Sequence, residues 1–376
     1  MKLAVVSSGD PLSPSVWSGT PYYMTRALRL AFPDVFIVRA PRPRLWRQIR
    51  RGLTKFTMGA IDIEWLVTTA RSHADAIVKS LERERVEAAI CIGASPLSAF
   101  VAQRLPVAHV SDATVPLMES YYKEFSNLLR PLMRNAALFD AVSVRNSKAA
   151  LFPTEWAAQS ARKTYETAQV HVIPWGCNLD PPPEPIDYEE QTECRLVFIG
   201  VDWKRKGGEI FLDAFEQLLE FGCPCSVDLI GSHPNLTKRL AGIRAAGFQV
   251  REHGFITKST EQGRALFDSI MRQASFLFVP TRQDCYGLVF AEASAYGVPS
   301  VATHTGGVPG VIEDGVNGYL LNEFAGSTQY AEVIRNIWSD KDRYLSLRHS
   351  ARHRFEEQLN WPAWAQKAVP IIRHMS

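Results

Sequence analysis

Residues 280–318 read PTRQDCYGLVFAEASAYGVPSVATHTGGVPGVIEDGVNG. The apolar run just before them, 275–279 (SFLFV), has the length of a buried strand, and Pro280 ends it. Residues 284–287 have loop composition. Residues 288–296 have helical composition, and Gly297-Val298-Pro299 stops that helix. A further strand begins at Ser300. The unit is strand, loop, helix, strand, as in an open parallel α/β sheet. Ligands of such sheets sit at the carboxyl ends of the strands. The unpaired N–H groups opening the 288–296 helix suit a diphosphate, and glycine at 287 lets a ligand approach the backbone closely. Asp284 precedes the helix and Glu292 lies about one turn inside it, so the two carboxylates reach different parts of one extended ligand and accept hydrogen bonds from its hydroxyls. Read without the flanking glycines, the same pair is a helix-capping acid and a solvated glutamate.

Outward from this stretch the alternation continues. Strands are expected at 2–7, 35–38, 88–92, 107–110, 141–144 and 170–173 in the first half, with helices at 22–31 and 74–85 among those between them. The second half has strands at 195–199, 226–230, 249–253, 275–279, 299–302 and 318–321, alternating with helices at 208–221, 262–272 and 288–296. Two doubly wound halves follow. A proline-rich segment, Asp180-Pro181-Pro182-Pro183-Glu184-Pro185, reads as a semi-rigid linker between them that permits hinge closure. The last segment, from Trp361, reads as a helix.

The stretch resembles the GT-B glycosyltransferases of the retaining family 4 (glycosyltransferase group 1) type. That family carries E-x-F-G-L-x-x-x-E-A-x-A-x-G-x-P followed by G-G-x-P-E. Here the pattern runs from Asp284 through Tyr286, Gly287, Leu288 and Val289 to Glu292 and Ala293, then Ala295, Gly297 and Pro299, then Gly306-Gly307-Val308-Pro309. Asp284 stands where the family has its first glutamate, and Gly310 stands where it has another. Phe198-Ile199-Gly200 and Lys204-Arg205-Lys206-Gly207-Gly208 resemble the family's strand and Lys-Gly loop, with Val201 where an arginine is common. Val172-Ile173-Pro174-Trp175-Gly176-Cys177-Asn178 resembles the V-I-P-x-G-x-(D/N) that closes the first domain, and 154–161 resembles a S-x-W-A-A-x-S-A segment of a bacterial subset. The resemblance covers most of the chain, strongly after residue 140 and weakly before it.

The resemblance implies an α/β GT-B architecture of two Rossmann-like doubly wound domains facing each other across a cleft. Residues 1–178 would form an acceptor-binding domain and 179–360 a nucleotide-sugar-binding domain, with 361–376 a helix crossing back to the first. It implies a retaining transferase that moves a sugar from a nucleoside-diphosphate sugar to a hydroxyl acceptor, which is a carbohydrate, a lipid-linked glycan or a small molecule. The nucleotide sugar is a co-substrate, and no cofactor and no metal is expected. Arg205 and Lys206, with Lys204 as a further candidate, would neutralise the leaving diphosphate. Glu292 would bind the ribose, Asp284 would sit near the donor sugar, and backbone groups from Tyr286 through Gly287 and Leu288 to Val289 would hold sugar and phosphate. Gly19, Gly200 and Phe255 complete the donor-binding set. Many family members have a histidine near the donor sugar at the position that Asp112 occupies here; Asp112 would orient the acceptor or bind a donor hydroxyl, and its plain reading is a turn residue at a strand end. His109 reads as a core histidine. With no enzyme nucleophile implied, the acceptor hydroxyl attacks from the face the diphosphate leaves. A sugar-nucleotide epimerase or hydrolase of the same architecture, and a catalytically weak binding subunit, are the other readings.

Composition bounds these expectations. The chain has 376 residues, enough for two domains of ordinary size, and 46% apolar residues, enough for a core without disulfides. The apolar start of the chain is too short for a secretory signal and no spanning helix is apparent, so a cytoplasmic protein is expected. Six cysteines include one close pair, Cys223-Pro224-Cys225, without the second pair a zinc site needs. Asp340-Lys341-Asp342 reads as a helix cap rather than a metal motif. Residues 1–178 hold 22 Lys+Arg against 14 Asp+Glu, whereas 179–376 hold 20 against 25. Much of the basic excess lies in 39–55, RAPRPRLWRQIRRGLTK, which has no acid and includes Arg44, Arg47, Arg50 and Arg51. Leu45, Ile49, Leu53 and Phe56 fall near helical spacing. A basic amphipathic segment suits an anionic membrane surface or a phosphorylated acceptor, and also fits an ordinary solvated helix. Nucleic acid is not expected, since no stacking platform accompanies the charge.

Overall fold

The computed structural model describes residues 1–38, 44–119, 121–167, 169–185 and 192–375. The chain divides into two compact units, one of Met1–Pro174 with Trp364–Ser376, the other of Trp175–Ala363. The segment 180–185, expected as a linker, lies within the second unit; Arg352, on the helix Lys341–Glu357, donates from Nη1 to the carbonyl of Pro183 at 2.8 Å.

The first unit is built on a sheet of β1 (Leu3–Ser7), β2 (Val35–Ile37), β3 (Ala88–Ile92), β4 (Val107–Val110), β5 (Ala149–Phe152) and β6 (Val170–Val172). Their order is β2-β1-β3-β4-β5-β6, and every pairing is parallel. The strands read as continuous apolar runs because helices cover both faces of a parallel sheet. The direction of winding reverses between β1 and β3. The loop after β1 runs through Trp17, Ser18 and Gly19, all at positive φ, into the helix Thr20–Ala31. A side chain at Gly93, just after β3, would meet the Trp17 ring at 2.9 Å. These two strand ends are therefore closely packed.

One expected strand is absent. Residues 141–144 lie in the helix Arg130–Asn146, and the strand is β5, five residues beyond their end. The β-branched Val142 and Val144 suggested a strand locally. Over the longer window Leu132, Met133, Ala136, Phe139, Asp140, Ser143 and Val144 form the buried face of a helix, and that period of 3.6 wins. Asp140 is buried there with three donors, Ser95 Oγ (3.2 Å), the Val115 N–H (2.8 Å) and Tyr165 OH (2.5 Å). Desolvation outweighs them and pushes its acidity toward the protonated form.

The second unit holds β7 (Cys194–Gly200), β8 (Cys225–Gly231), β9 (Val250–Gly254), β10 (Phe276–Val279), β11 (Ser300–Thr303) and β12 (Gly318–Leu321). Read across the sheet, the order is β9-β8-β7-β10-β11-β12, again all parallel. This is the Rossmann order, with its switch point between β7 and β10. Gly231, at φ 113, allows β7 and β8 to end side by side, since a Cβ there would stand 1.9 Å from the carbonyl oxygen of Gly200. Asp340 caps the helix Lys341–Glu357 by accepting from the Arg343 N–H at 3.1 Å, the capping role read from the sequence.

His109, on β4, is fully buried. Its Nδ1 lies 3.2 Å from Ser98 Oγ and its ring meets Phe152 edge-on. Desolvation lowers its pKa from 6.5 to about 4. The unfolded chain then binds a proton that the folded chain refuses, so this residue's contribution is fully present above pH 6.5 and is lost as pH falls toward 4. Urea titrations over that window are expected to show a loss of about 3 kcal/mol from this residue. His109→Leu should flatten the slope, and an unchanged slope would assign the acid loss to other groups.

Candidate functional site

The site is built at the switch point of the second unit, where the chain leaves β7 and β10. After β7 the turn 201–207 leads into the helix Gly208–Glu220, whose N-cap Gly207 has φ 76. After β10 the loop 280–287 leads into the helix Leu288–Ala295, whose N-cap Gly287 has φ 85. Both caps require glycine for the left-handed backbone. They are also crowded: a Cβ at Gly207 would fall 2.0 Å from the Pro280 carbonyl oxygen, and one at Gly287 would fall 2.5 Å from the Phe290 ring. Two helix N-termini thus open at adjacent strand ends, each presenting first-turn N–H groups without intrahelical acceptors. At the second of them those groups belong to Leu288 and Val289.

Lys206 and Asp284 meet across these turns, with Nζ 2.5 Å from Oδ2. Lys206 is 8% exposed and Asp284 9%. Backbone contacts lock the two loops together. The Arg282 N–H donates to the carbonyl of Arg205 (2.8 Å), and the Gly307 N–H donates to the carbonyl of Asp284 (3.0 Å). Thr305 Oγ1 adds a bond to the Arg282 carbonyl at 3.2 Å. The second glycine turn of the opening stretch is therefore clipped onto the loop that carries Asp284. Gly200 ends β7 directly beneath the Lys206 stem, which a Cβ at 200 would strike at 2.9 Å.

Glu292 lies in the first turns of its helix, 3% exposed, and is ion-paired to Lys258. Lys258 follows β9 and also stands over the Phe267 ring. Reading the sequence did not single it out; a lone lysine three residues beyond Phe255 carries no motif. Phe255, on the same loop, is 73% exposed. The side chain of Tyr286 is buried. Its hydroxyl donates to the Trp175 carbonyl at 2.6 Å and its ring packs on Trp175, leaving only its backbone available to a ligand. Burial raises the pKa of that hydroxyl.

Arg205 lies in the turn before the Gly207 cap. Its guanidinium donates from Nη1 to the Gln283 carbonyl at 2.7 Å, and its Nε is 3.8 Å from Asp202. It braces the two loops. Next to it opens a cleft of about 690 Å³, lined by Val201, Asp202, Lys204, Gly207, His233 and Arg282 among others. Lys204 and Arg282 are the exposed cations of this cleft.

The remaining expected residues belong to the first unit. Gly19 is the buried N-cap of the helix Thr20–Ala31. Asp112 is half-buried in the loop after β4. In the basic segment, residues 39–43 and the side chain of Arg44 lie outside the described residues. Arg44–Phe56 is a helix whose exposed face carries Leu45, Arg47, Ile49, Arg51, Lys55 and Phe56. Arg50 does not belong to that face as a loose charge. It forks onto Asp62 with two bonds of 2.7 Å and also pairs with Glu64.

Among the described residues no cluster of His, Cys, Asp and Glu is suited to a metal ion, and no helix is long and apolar enough to cross a membrane. Residues 193–340 match the family model described as "Glycosyl transferases group 1". A D-inositol 3-phosphate glycosyltransferase of Xylanimonas cellulosilytica is 30% identical over 197 residues, 49% of this chain and 46% of that one. The chain spans about half the length of the curated relatives it matches. Sucrose-phosphate synthase from Thermosynechococcus elongatus superposes with a TM-score of 0.74 at 17% identity, covering 100% of this chain and 99% of that one. Anabaena HepE, solved with UDP and glucose, superposes at 0.66 with 14% identity over the full length of both. The fold is that of the GT-B glycosyltransferases.

Lys206→Met should take the ammonium away from the buried Asp284 carboxylate and destabilise the unit by roughly 3–5 kcal/mol. The double variant with Asp284→Leu is expected to regain most of that loss. Urea denaturation of both variants checks this, and equal losses in the two would mean the pair is not what sets the cost.

Proposed function

We propose that this chain, whose residues 193–340 match the group 1 glycosyl transferases, is a retaining glycosyltransferase that moves a sugar from a nucleoside-diphosphate sugar to a hydroxyl acceptor. The observation that carries the reading is the buried Lys206–Asp284 pair between two helix N-termini. A diphosphate arriving there finds first-turn N–H groups and an ammonium that exchanges Asp284 for phosphate oxygen. Asp284 is then released to accept hydrogen bonds from the donor sugar. Glu292, on exchanging Lys258 for ligand, accepts from the ribose hydroxyls.

Charge builds on the diphosphate as the glycosidic bond breaks. Lys206 and the N–H groups of Leu288 and Val289 are fixed before that moment, so they lower the barrier without reorganising. Lys204 and Arg282 add positive potential from the adjacent cleft. With these cations supplied by the chain, transfer should proceed without a divalent metal. In this scheme the acceptor hydroxyl approaches from the face the diphosphate leaves and passes its proton to a phosphate oxygen. Asp112 is proposed to orient the acceptor.

Thermal-shift screening with UDP-, GDP- and other nucleotide sugars should show one base stabilising the protein by about 2.7 kcal/mol at a hundredfold excess over Kd. Incubated with an acceptor mixture, the stabilising donor should give an α-linked product from an α-linked donor, in EDTA as well as without it. An inverted linkage would refute the retaining assignment. Release of free sugar regardless of acceptor would favour a hydrolase, and no nucleotide shift at all would sink the reading. Lys206→Ala should cost roughly 10²–10³ in kcat.

The acceptor side is proposed to meet an anionic lipid surface through the helix Arg44–Phe56. Arg47, Arg51 and Lys55 share an exposed face with Leu45, Ile49 and Phe56, a pattern suited to the headgroup boundary. Vesicles rich in phosphatidylglycerol should co-sediment the protein, and an Arg47→Ala, Arg51→Ala, Lys55→Ala variant should stay in the supernatant. Arg50 is left intact because it is bonded to Asp62 and Glu64. Equal sedimentation of both proteins would overturn the proposal.

A further inference from the structure

At the amino end of the second sheet, opposite the candidate site, three cysteines converge. Cys194 opens β7 and Cys225 opens β8, and the two are directly paired in register. Cys223 stands two residues before Cys225, in the turn that follows the helix Gly208–Glu220. Its thiol stands near enough to both of the others to interact with each. The backbone holds the arrangement in place: the Cys194 N–H donates to the Pro224 carbonyl (2.8 Å) and the Cys223 N–H to the Leu218 carbonyl (3.0 Å). All three are reduced and buried, and Cys223 is the most accessible at 7%.

Interaction with Cys194 first, then Cys225, lowers the pKa of Cys223, and the charges of Lys341 and Arg335 add to this. Both neighbours move the other way. Burial first, then the interaction with Cys223, raises Cys194; the interaction with Cys223, then burial, raises Cys225. The direction for Cys223 is thus opposite to that of its two neighbours. Thiolate character decides which cysteine meets an oxidant first. The remaining cysteines, Cys91, Cys177 and Cys285, are buried, and burial is the largest cause pushing Cys91 and Cys177 up to about 12.

We propose that Cys223, Cys194 and Cys225 form an oxidation site, at which a hydroperoxide converts Cys223 to a disulfide with one of its two neighbours. The Cys223 sulfur attacks the peroxide oxygen, the O–O bond breaks, and the departing oxygen leaves as hydroxide or alkoxide. The sulfenic acid that remains is attacked by the neighbouring sulfur; an S–S bond forms, the S–O bond breaks, and water leaves with the neighbour's proton. Two thiols are oxidised and one peroxide is reduced. The new bond would tie the end of the helix that starts at Gly207-Gly208 to the strand beneath it, if Cys194 is the resolving partner, or close the Cys-Pro-Cys turn, if Cys225 is. Neither outcome depends on the proposed transfer reaction.

The full-length native protein, titrated with hydrogen peroxide, then differentially alkylated and mapped by mass spectrometry, provides the test. Cys223 should oxidise at the lowest dose and appear in a disulfide with Cys194 or Cys225, while Cys91, Cys177 and Cys285 stay reduced. This comparison is internal to the wild-type chain and needs no variant to fold. In a Cys194→Ser, Cys225→Ser variant, dimedone should trap Cys223 as its sulfenic acid. Oxidation of Cys223 no faster than Cys91 or Cys177, or a first disulfide that omits it, would overturn the proposal.

Discussion

The second unit is organised around one buried ion pair, Lys206 with Asp284. Its two residues come from the ends of β7 and β10, neighbours in the sheet that are widely separated in sequence. Burying two charges is costly, and their mutual attraction repays the cost only with close geometry. The structure supplies that geometry through backbone rather than side chains. Gly207 lies against the Pro280 carbonyl, the Arg282 N–H reaches Arg205, and the Gly307 N–H reaches Asp284. Hydrophobic residues of the same volume would stabilise these loops at least as well. A pair retained under such terms points to a use for its charges.

Asp284 and Glu292 each have a lysine partner, Lys206 for Asp284 and Lys258 for Glu292. Neither lysine is close to its acid in sequence. In the proposed function each pair is one at which a ligand substitutes one partner. Phosphate oxygen can take the ammonium of Lys206 while sugar hydroxyls take the carboxylate of Asp284. Ligand binding would then exchange partners rather than leave charges bare, which keeps the desolvation cost nearly constant between the empty and filled site.

The regular part of this arrangement was legible in the sequence. The strand, the loop with its glycine and the helix after it fall where composition and turn residues indicated, because buried parallel strands are short apolar runs and glycine marks left-handed caps. The 141–144 segment was misread, since two valines in a helix of mixed polarity imitate a strand over four residues. Long-range partners were not legible. Lys258, the Arg50 fork onto Asp62 and Glu64, and the approach of Cys194 to Cys223 all join residues whose separation is set by topology, and no local pattern encodes them. Tyr286 shows the same limit at shorter range: the motif identifies the residue, but the packing on Trp175 decides that only its backbone faces a ligand.

Arg205 makes the limit sharper. Three consecutive cations, Lys204, Arg205 and Lys206, stand before the Gly207 cap, and sequence spacing cannot say which way each one points. The turn winds tightly enough that neighbours diverge. Lys206 goes inward to Asp284, Arg205 goes sideways to the Gln283 carbonyl, and Lys204 remains at the cleft. Arg282, from the other loop, lines the same cleft as Val201. A cation that follows β10 thus lines the same cleft as the position where the sequence resemblance led to an arginine being expected. A charge requirement fixes the sign of the potential at the ligand and leaves open which strand end supplies it.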